Sequence, residues 1–254
     1  YRPYKPKRKT RATVAIAKGL EPLADIIQAQ DLTKPVEEYA RDFVSAEKGV
    51  KDENEAIAGA KDIIAERISD DANLRKVLRE IIAKKAVVKS TWDEEADEHK
   101  TYENYKDFSG EVAKIPSHRI LALNRGEKEK CLKVSVEINP KLTITEIEKA
   151  NKKDCEFTDQ IMLDTIQDSY DRLLFPSLER ECRASLTDRA NEQAIKMFEV
   201  NLKPLLLQAP LKNNVIMGYD PGYYNGCKIA VIDKKGDVLD TAVVYPTPPQ
   251  NKVE

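Results

Sequence analysis

A single aspartate near the end of the chain is the residue best placed for metal chemistry. Asp220 directly follows the apolar run at residues 215–219 and lies in the sequence Gly-Tyr-Asp-Pro-Gly. Cleavage of a phosphodiester by two metal ions needs several converging carboxylates, because Mg²⁺ prefers hard oxygen ligands. The nearby aspartates Asp233 and Asp240 match no motif. Asp-Pro-Gly is also a common turn sequence, so a purely structural role for Asp220 stays open.

A basic run at residues 1–11, YRPYKPKRKTR, could bind phosphates. It carries six positive charges and no acid, and Pro3 and Pro6 favour an extended backbone that spreads those charges. Such a run binds nucleic acid by releasing counterions. The phosphate-contact candidates are Lys5, Lys7, Arg8, Lys9 and Arg11. The alternative is a solvated basic strap that lies against an acidic remainder.

Other kinds of site are not indicated. The four cysteines (Cys131, Cys155, Cys182 and Cys227) form no C-x-x-C pair, so we expect free buried thiols in a reducing cytosol and no structural zinc. The sequence contains no phosphate-binding P-loop and no G-x-G-x-x-G, and its two histidines belong to no recognisable triad motif. We therefore expect no cofactor, no bound metal and no small-molecule substrate.

The chain contains no run that approaches the ~18 apolar residues of a membrane span, and no apolar segment of a signal peptide. We expect a cytoplasmic protein without a membrane partner. The net charge of −2 gives no indication about nucleic acid, whereas the charged content of 34% favours long solvated helices.

Helices are the elements expected to carry these features through most of the chain. Residues 19–90 have helical periodicity, and one predicted helix carries an i, i+3/i+4 stripe of Ile57, Ala60, Ile64 and Ile68. Asp52 or Asn54 can cap this helix, and Ser69 or Asp70 can cap the next. Residues 142–209 are again predicted to be helical. Thr145 is the predicted cap of a helix, and a break is predicted at residues 175–177. A long amphipathic helix is then predicted over residues 178–201, and Pro204 should kink or end it.

Two segments depart from the helical pattern. Residues 92–111 hold eight acids against two lysines, and we expect Tyr102, Tyr105 and Phe108 to pin this irregular segment onto the helices. Base stacking by these rings is the less favoured alternative, because an acidic surround repels phosphate. A helix should open at residues 116–117, and residues 132–138 alternate with a period of two, which predicts a strand.

The end of the chain has a different pattern. Apolar runs at residues 215–219, 228–232 and 238–245 predict three strands. The turn at residues 233–237 contains Gly236, which is available for a positive φ. We expect the last two strands to form a hairpin and the first to pair beside it.

Several segments taken together resemble the Tex family, which are bacterial relatives of the eukaryotic Spt-type elongation factor. They follow the order of the family and cover most of the chain: YRPYKPKRKTRA at 1–12, GLEPLAD at 19–25, KVLREIIAKK at 76–85, IPSHRILALNRGE at 115–127, DRLLFPSLERE at 171–181, LLLQAPL at 205–211 and IMGYDPGYYNGCKIAVID at 216–233.

The resemblance implies a fold class and a layout. Residues 1–209 would be the mainly α-helical N-terminal and connecting region, and residues 214–254 the first β-strands of an α/β RNase H-like (YqgF) domain. The chain starts without Met and stops just after a strand pattern, so we expect a fragment that lacks the later helix-hairpin-helix and OB-fold parts of the family.

The resemblance also implies a function. The chain would be part of a transcription accessory protein, a scaffold that binds RNA or DNA and contacts the transcription machinery without catalysis. In RNase H-like nucleases an aspartate at the position of Asp220 helps to hold a metal, but the Tex domain is regarded as lacking a complete catalytic set, so Asp220 would be vestigial. The alternatives are a metal-dependent RNase H-like nuclease and a protein-interaction platform for the transcription machinery.

Overall fold

The fold is described from a computed structural model, and the description covers residues 9–209, 211–222, 224–246 and 248. The chain divides into two compact units, Tyr1–Lys196 and Met197–Glu254. Each unit is described by itself. The mainly helical class expected from the sequence, followed by strands at the end of the chain, is confirmed.

The described part of the first unit begins with helices. Their bounds are α1 Arg11–Ala17, α2 Glu21–Ala29, α3 Val36–Ala40, α4 Glu53–Asp70 and α5 Ala72–Lys85. The predicted stripe on α4 is buried, since Ala60 and Ile64 are fully inaccessible and Ile57 is only 9% exposed. The helix α4 therefore forms the centre of this part of the core.

The N-termini of α4 and α5 are set by aspartates. Asp52 caps α4 by accepting a hydrogen bond from the backbone N–H of Glu55, as predicted. The prediction of Ser69 or Asp70 as the cap of α5 is wrong. Helix α4 continues through Asp70, and the extended backbone of Asp71 places its carboxylate at the first N–H groups of α5.

A three-stranded antiparallel sheet follows α5 in the order β2-β1-β3. Its strands are β1 Val87–Trp92, β2 Phe108–Glu111 and β3 Leu132–Glu137. Only β3 was predicted, and the interpretation of residues 19–90 as helical is wrong from Val87 onward. The backbone of Ala86 is extended. The residues of β1 then alternate between buried and exposed positions, and three of them are β-branched, which suits a half-buried strand.

The rest of the first unit is again helical, and its last helix continues beyond the end of that unit at Lys196. The bounds are α6 Ser117–Lys128, α7 Pro140–Asn151, α8 Asp159–Asp168, a π-helical segment Ser169–Leu174, and α9 Phe175–Leu206. Helix α6 opens after Pro116 as predicted. Helix α7 begins earlier than predicted, because Asn139 rather than Thr145 supplies the capping side chain.

The predicted break at residues 175–177 is absent, since the π-helical segment continues directly into α9. Pro176 is the second residue of α9 and has no N–H to donate. The π-helical segment before it already changes the hydrogen-bond register, so the proline does not interrupt the helix there. The long helix was predicted correctly over residues 178–201. It contains Pro204 and ends two residues later.

The second unit contains the strands β4 Ile216–Asp220, β5 Cys227–Ile232 and β6 Val238–Val244. They form an antiparallel sheet in the order β4-β5-β6, so both the predicted hairpin and the pairing of the first strand beside it are confirmed. The hairpin turn contains Gly236 at φ 96°, a conformation that favours glycine.

Candidate nucleic-acid interface

The basic run passes into helix α1 at Thr10. The side chain of Thr10 accepts a hydrogen bond from the backbone N–H of Thr13, and the backbone N–H of Thr10 donates one to the side chain of Thr13, so the pair forms a capping box. The hydroxyl of Thr10 also donates to Glu66 of α4 at 2.9 Å. Arg11 is thus the first residue of a helix, and the extended backbone expected for the run does not reach it.

Two carboxylates, Asp62 and Asp168, lie near enough to Arg11 to respond to its charge. Burial raises the pKa of Asp62, although the positive charges of Arg172 and Arg11 oppose this effect. At Asp168 the hydrogen bond from Arg172 lowers the pKa, and the charge of Arg11 lowers it further. Arg172 joins the two acids, because it donates to Asp62 at 3.0 Å and to Asp168 at 3.0 Å. Arg172 is thus the direct partner of both acids, and exposed Arg11 adds a further positive charge near them.

Lys9 lies at the exposed side of this region. It lines a shallow depression of about 480 Å³ together with Arg11 and Lys18. Lys18 is committed to the fold, since its ammonium donates to the carbonyl of Gly49 at 2.8 Å and to Glu55 at 2.7 Å. Lys5, Lys7 and Arg8 lie outside the described residues. The assignment of the run to phosphate contacts stays a prediction, and both of its described members, Lys9 and Arg11, are exposed.

Asp220 is the last residue of β4, where the register pairs it with Lys228 of β5. Residues that are paired across an antiparallel ladder point to the same face of the sheet, so a carboxylate and an ammonium are neighbours there. Both side chains are exposed and line a depression of about 640 Å³ on the sheet. A divalent metal at Asp220 would have to approach this positively charged neighbour.

The two aspartates considered with Asp220 in the sequence, Asp233 and Asp240, do not converge on it in the sheet. Asp233 follows β5 at the opposite end of the ladder, where its carboxylate accepts hydrogen bonds from the backbone N–H groups of Lys235 and Asp237. At about 3.4 Å per residue, this places it roughly 17 Å from Asp220 along the strands.

Asp240 pairs with Val231, which in turn pairs with Met217. Met217 is three positions from Asp220, so Asp240 belongs to the other face of the sheet. Among the residues that the structure describes, no group of three or more His, Cys, Asp or Glu side chains could hold a metal ion.

The aromatic residues of the acidic segment pack inward. Tyr102 is buried, and its hydroxyl donates to Glu129 at 2.7 Å. Burial and this acidic partner raise the pKa of Tyr102 to about 12. Tyr105 and Phe108 form an edge-to-face pair with ring centroids 5.7 Å apart and pack against the core. The prediction that these rings pin the segment to the rest of the unit is confirmed, although they pack beside the unpredicted sheet as well as the helices.

Buried Asp97 organises the same segment. Its carboxylate accepts hydrogen bonds from the indole N–H of Trp92 at 3.0 Å and from the backbone N–H of Tyr102 at 2.7 Å. In the sequence Asp97 is one of eight acids in this segment, and no separate role was predicted for it. Asp97 lies five residues from both Trp92 and Tyr102, but this spacing predicts their hydrogen bonds to Asp97 only once the loop geometry is known.

The cysteines are free thiols, as predicted. Cys131 and Cys227 are buried, whereas Cys155 and Cys182 are only partly so, which corrects the expectation that all of them are buried. No helix within the described ranges is long and apolar enough to cross a membrane.

Comparison with known proteins identifies the family. Residues 31–198, more than half of the chain, match the family model described as Tex central region-like. The chain belongs to the Tex family. Residues 214–254 match the Tex protein YqgF-like domain, which contains the sheet β4-β5-β6 and Asp220.

Relatives of this Tex chain extend from bacteria to human. It is 46% identical over its full length to the uncharacterized protein YdcI of Bacillus subtilis, and it covers 36% of that protein. It is 36% identical to the transcriptional accessory protein Tex of Neisseria gonorrhoeae, over 96% of this chain and 33% of the relative. The human S1 RNA-binding domain-containing protein 1 is 32% identical over 96% of this chain and 26% of its own length. The chain thus spans about a third of the length of its bacterial relatives.

Proposed function

We propose that this chain is a scaffold and nucleic-acid-binding part of a transcription accessory protein, and that it acts without catalysis. The observation that carries the proposal is the match to both Tex family models, with relatives named for transcription and for RNA binding. The same proposal places the protein in the cytoplasm, which the free thiols support.

The basic run is the proposed contact with RNA or DNA. It holds a high density of positive charge with no acid, and Lys9 is exposed where the run meets the first unit. Arg11 would contribute less than the other members, because acids of α4 and α8 share its charge. Phosphate contacts of this kind supply affinity without base specificity.

The absence of catalysis is the second part of the proposal. Its support is the separation of Asp220, Asp233 and Asp240 within the sheet, together with the position of Lys228 opposite Asp220. Two-metal hydrolysis requires ions about 4 Å apart, held by shared carboxylates. One exposed aspartate beside a lysine does not provide such a set.

The test is the affinity for a fluorescein-labelled single-stranded RNA, compared between the wild-type chain and a variant with Lys5, Lys7, Arg8, Lys9 and Arg11 replaced by serine. The variant should bind at least about tenfold more weakly. A matched control replaces five exposed lysines elsewhere in the first unit by serine: Lys76, Lys84, Lys128, Lys133 and Lys141. Equal losses in the two variants would show that the run has no special role.

A role as a protein-interaction platform is the second candidate function. An exposed apolar stripe on the long helix was the sequence criterion for it. On α9 the side chains of Ile195, Met197, Phe198 and Val200 are each more than 60% exposed. At 100° per residue, Ile195 and Phe198 lie on one side of the helix and Met197 and Val200 on the other. These exposed apolar groups favour an interaction role for this part of α9, although they do not form a single stripe.

A further inference from the structure

A groove of about 390 Å³ lies in the first unit, between α5, α9 and the segment that joins β2 to α6. Its floor is aliphatic. Ile82, Val112, Leu178 and Leu186 line it and are each at most 5% exposed over their whole residue. The partly buried Cys182 lies among them. The volume falls within the range of binding pockets, roughly 300–1,000 Å³.

One face of α9 forms a wall of this groove. Its lining residues are Leu178, Glu181, Cys182, Ser185, Leu186 and Arg189. Their spacing of three to four residues keeps them on a single side of a straight helix. The opposite wall is α5, which contributes Arg79, Ile82 and Ala83. The groove is therefore bounded by regular elements whose positions are fixed by the core.

The groove is open to solvent because small residues surround its mouth. Ala83, Ala113 and Ser185 line it and are exposed. None of these side chains is long enough to fold back over the floor. A partner can therefore reach the aliphatic floor without a rearrangement of the backbone.

The rim carries positive charge. Glu181 is shared between two arginines, since it accepts from Arg75 at 2.6 Å and from Arg79 at 2.7 Å. Arg189 donates to the backbone carbonyls of Val112 and Ile115 at 3.4 and 3.3 Å. Buried Arg75 lies behind the groove, and the charged residues that line it are Arg79, Arg189 and Glu181. The rim therefore keeps a net positive charge, so an anionic partner is favoured.

The chemistry of the floor distinguishes between kinds of anionic partner. Nucleobases bind on aromatic faces, and the described residues that line this groove include no aromatic ring. Aliphatic floors instead accept aliphatic side chains, and arginine rims accept carboxylates.

We propose that this groove binds an acidic peptide segment of a partner protein, with its aliphatic side chains on the floor and its carboxylates at Arg79 and Arg189. The groove shares no residue with the basic run, so this proposal can be tested independently of the proposed nucleic-acid contact.

The test uses the full chain and three labelled hexapeptides in fluorescence anisotropy. The first peptide has two leucines between pairs of glutamates, the second replaces its leucines by serines, and the third replaces its glutamates by lysines. The first should bind at least about tenfold more tightly than either of the others. Ala83→Glu and Ser185→Trp, both at exposed positions, should abolish that preference, while Ala83→Lys should keep it.

Alkylation of the cysteines locates the binding. The bound first peptide should slow the modification of Cys182 and leave that of Cys155 unchanged, as read by mass spectrometry of the digested chain. Equal binding of the leucine and serine peptides, or equal binding by wild type and both blocking variants, would overturn the proposal. A third outcome is that Ala83→Glu and Ser185→Trp lose binding to a labelled RNA while the wild-type chain shows no preference among the peptides. This outcome would assign the groove to nucleic acid and would also overturn the proposal.

Discussion

Glu179 of α9 accepts a hydrogen bond from the backbone N–H of Val136 in β3, with 2.8 Å between Oε1 and the nitrogen. β3 is an edge strand, so this N–H has no neighbouring strand to pair with. Four residues along α9, Arg183 donates to the carbonyl of Val134 at 3.0 Å. Two helix side chains therefore take the place of a strand, and they seal an edge that could otherwise pair with another chain.

Removal of the Glu179 carboxylate should destabilise the first unit. Glu179→Ala leaves the N–H of buried Val136 without its acceptor, which should lower the free energy of unfolding by about 1–2 kcal/mol. Urea denaturation followed by circular dichroism measures the change. Arg180→Ala, at the exposed next position, is the control and should change it by less than about 0.5 kcal/mol. Equal effects of the two substitutions would mean that the edge hydrogen bond contributes nothing.

A methyl group at position 126 should also be costly. A Cβ built on Gly126 of α6 would lie 2.6 Å from Leu132 Cδ1 and 3.0 Å from Tyr102 Cδ1, so the helix approaches β3 too closely for a side chain. Gly126→Ala should destabilise by about 1–3 kcal/mol, although alanine is the better helix former. The double variant with Leu132→Ala should lose less than the sum of the two single variants. Strict additivity would contradict this packing argument.

The ion pair of Glu181 should make stability depend on pH. Burial tends to raise the pKa of Glu181, but the hydrogen bonds from Arg79 and Arg75 outweigh it and hold the pKa below its ordinary value of 4.5. The unfolded chain therefore takes up the proton first as pH falls. The stabilisation is complete above pH 4.5 and is lost as pH drops through the folded-state pKa.

The variant Glu181→Gln tests this sign. It should be less stable than wild type at pH 7, because buried Arg75 loses its anionic partner. The difference between the two should shrink as the pH is lowered toward 3 in a series of urea titrations. A difference that stays constant or grows at low pH would show that Glu181 is not the titrating group.

Divalent metal should have no specific effect at Asp220. Addition of Mn²⁺ or Mg²⁺ should shift the thermal midpoint of the wild-type chain and of Asp220→Asn equally, and neither should cleave a branched DNA substrate. The reason is that Lys228 opposes Asp220 and no second carboxylate lies nearby in the described sheet. A metal-dependent stabilisation or cleavage that Asp220→Asn removes would favour the nuclease alternative.

Periodicity in the sequence predicted the elements in which apolar residues recur at regular intervals. The α4 stripe, the long helix α9 and the strands of the second unit repeat with a clear period, and single caps such as Asp52 are local signals. The strands β1 and β2 were missed because their partners are distant in sequence: Val87 pairs with both Glu111 and Glu137. The β-branched residues at the start of β1 favour a strand, but the segment is short and directly continues α5, so tertiary pairing is what defines it.

The candidate sites were predictable only in part. Asp220 and the basic residues were visible as residue types, but the position of Lys228 opposite Asp220 depends on the register of β4 and β5. The acids that share the charge of Arg11 come from α4 and from the region of α8, about 50 and 160 residues further along the chain, so no local pattern relates them. The groove beside α9 likewise depends on which helix lies opposite Leu178 and Leu186.

The salt dependence of binding to a labelled single-stranded RNA tests whether the basic run contacts phosphate. With about five phosphate contacts, the plot of log affinity against log salt should be linear with a slope near −3.5, and the variant with five serines should flatten it toward zero. This result would support an intrinsic nucleic-acid-binding role for the chain. Absence of binding even at about 50 mM salt, or an unchanged slope in the variant, would contradict it and leave the run as a solvated strap.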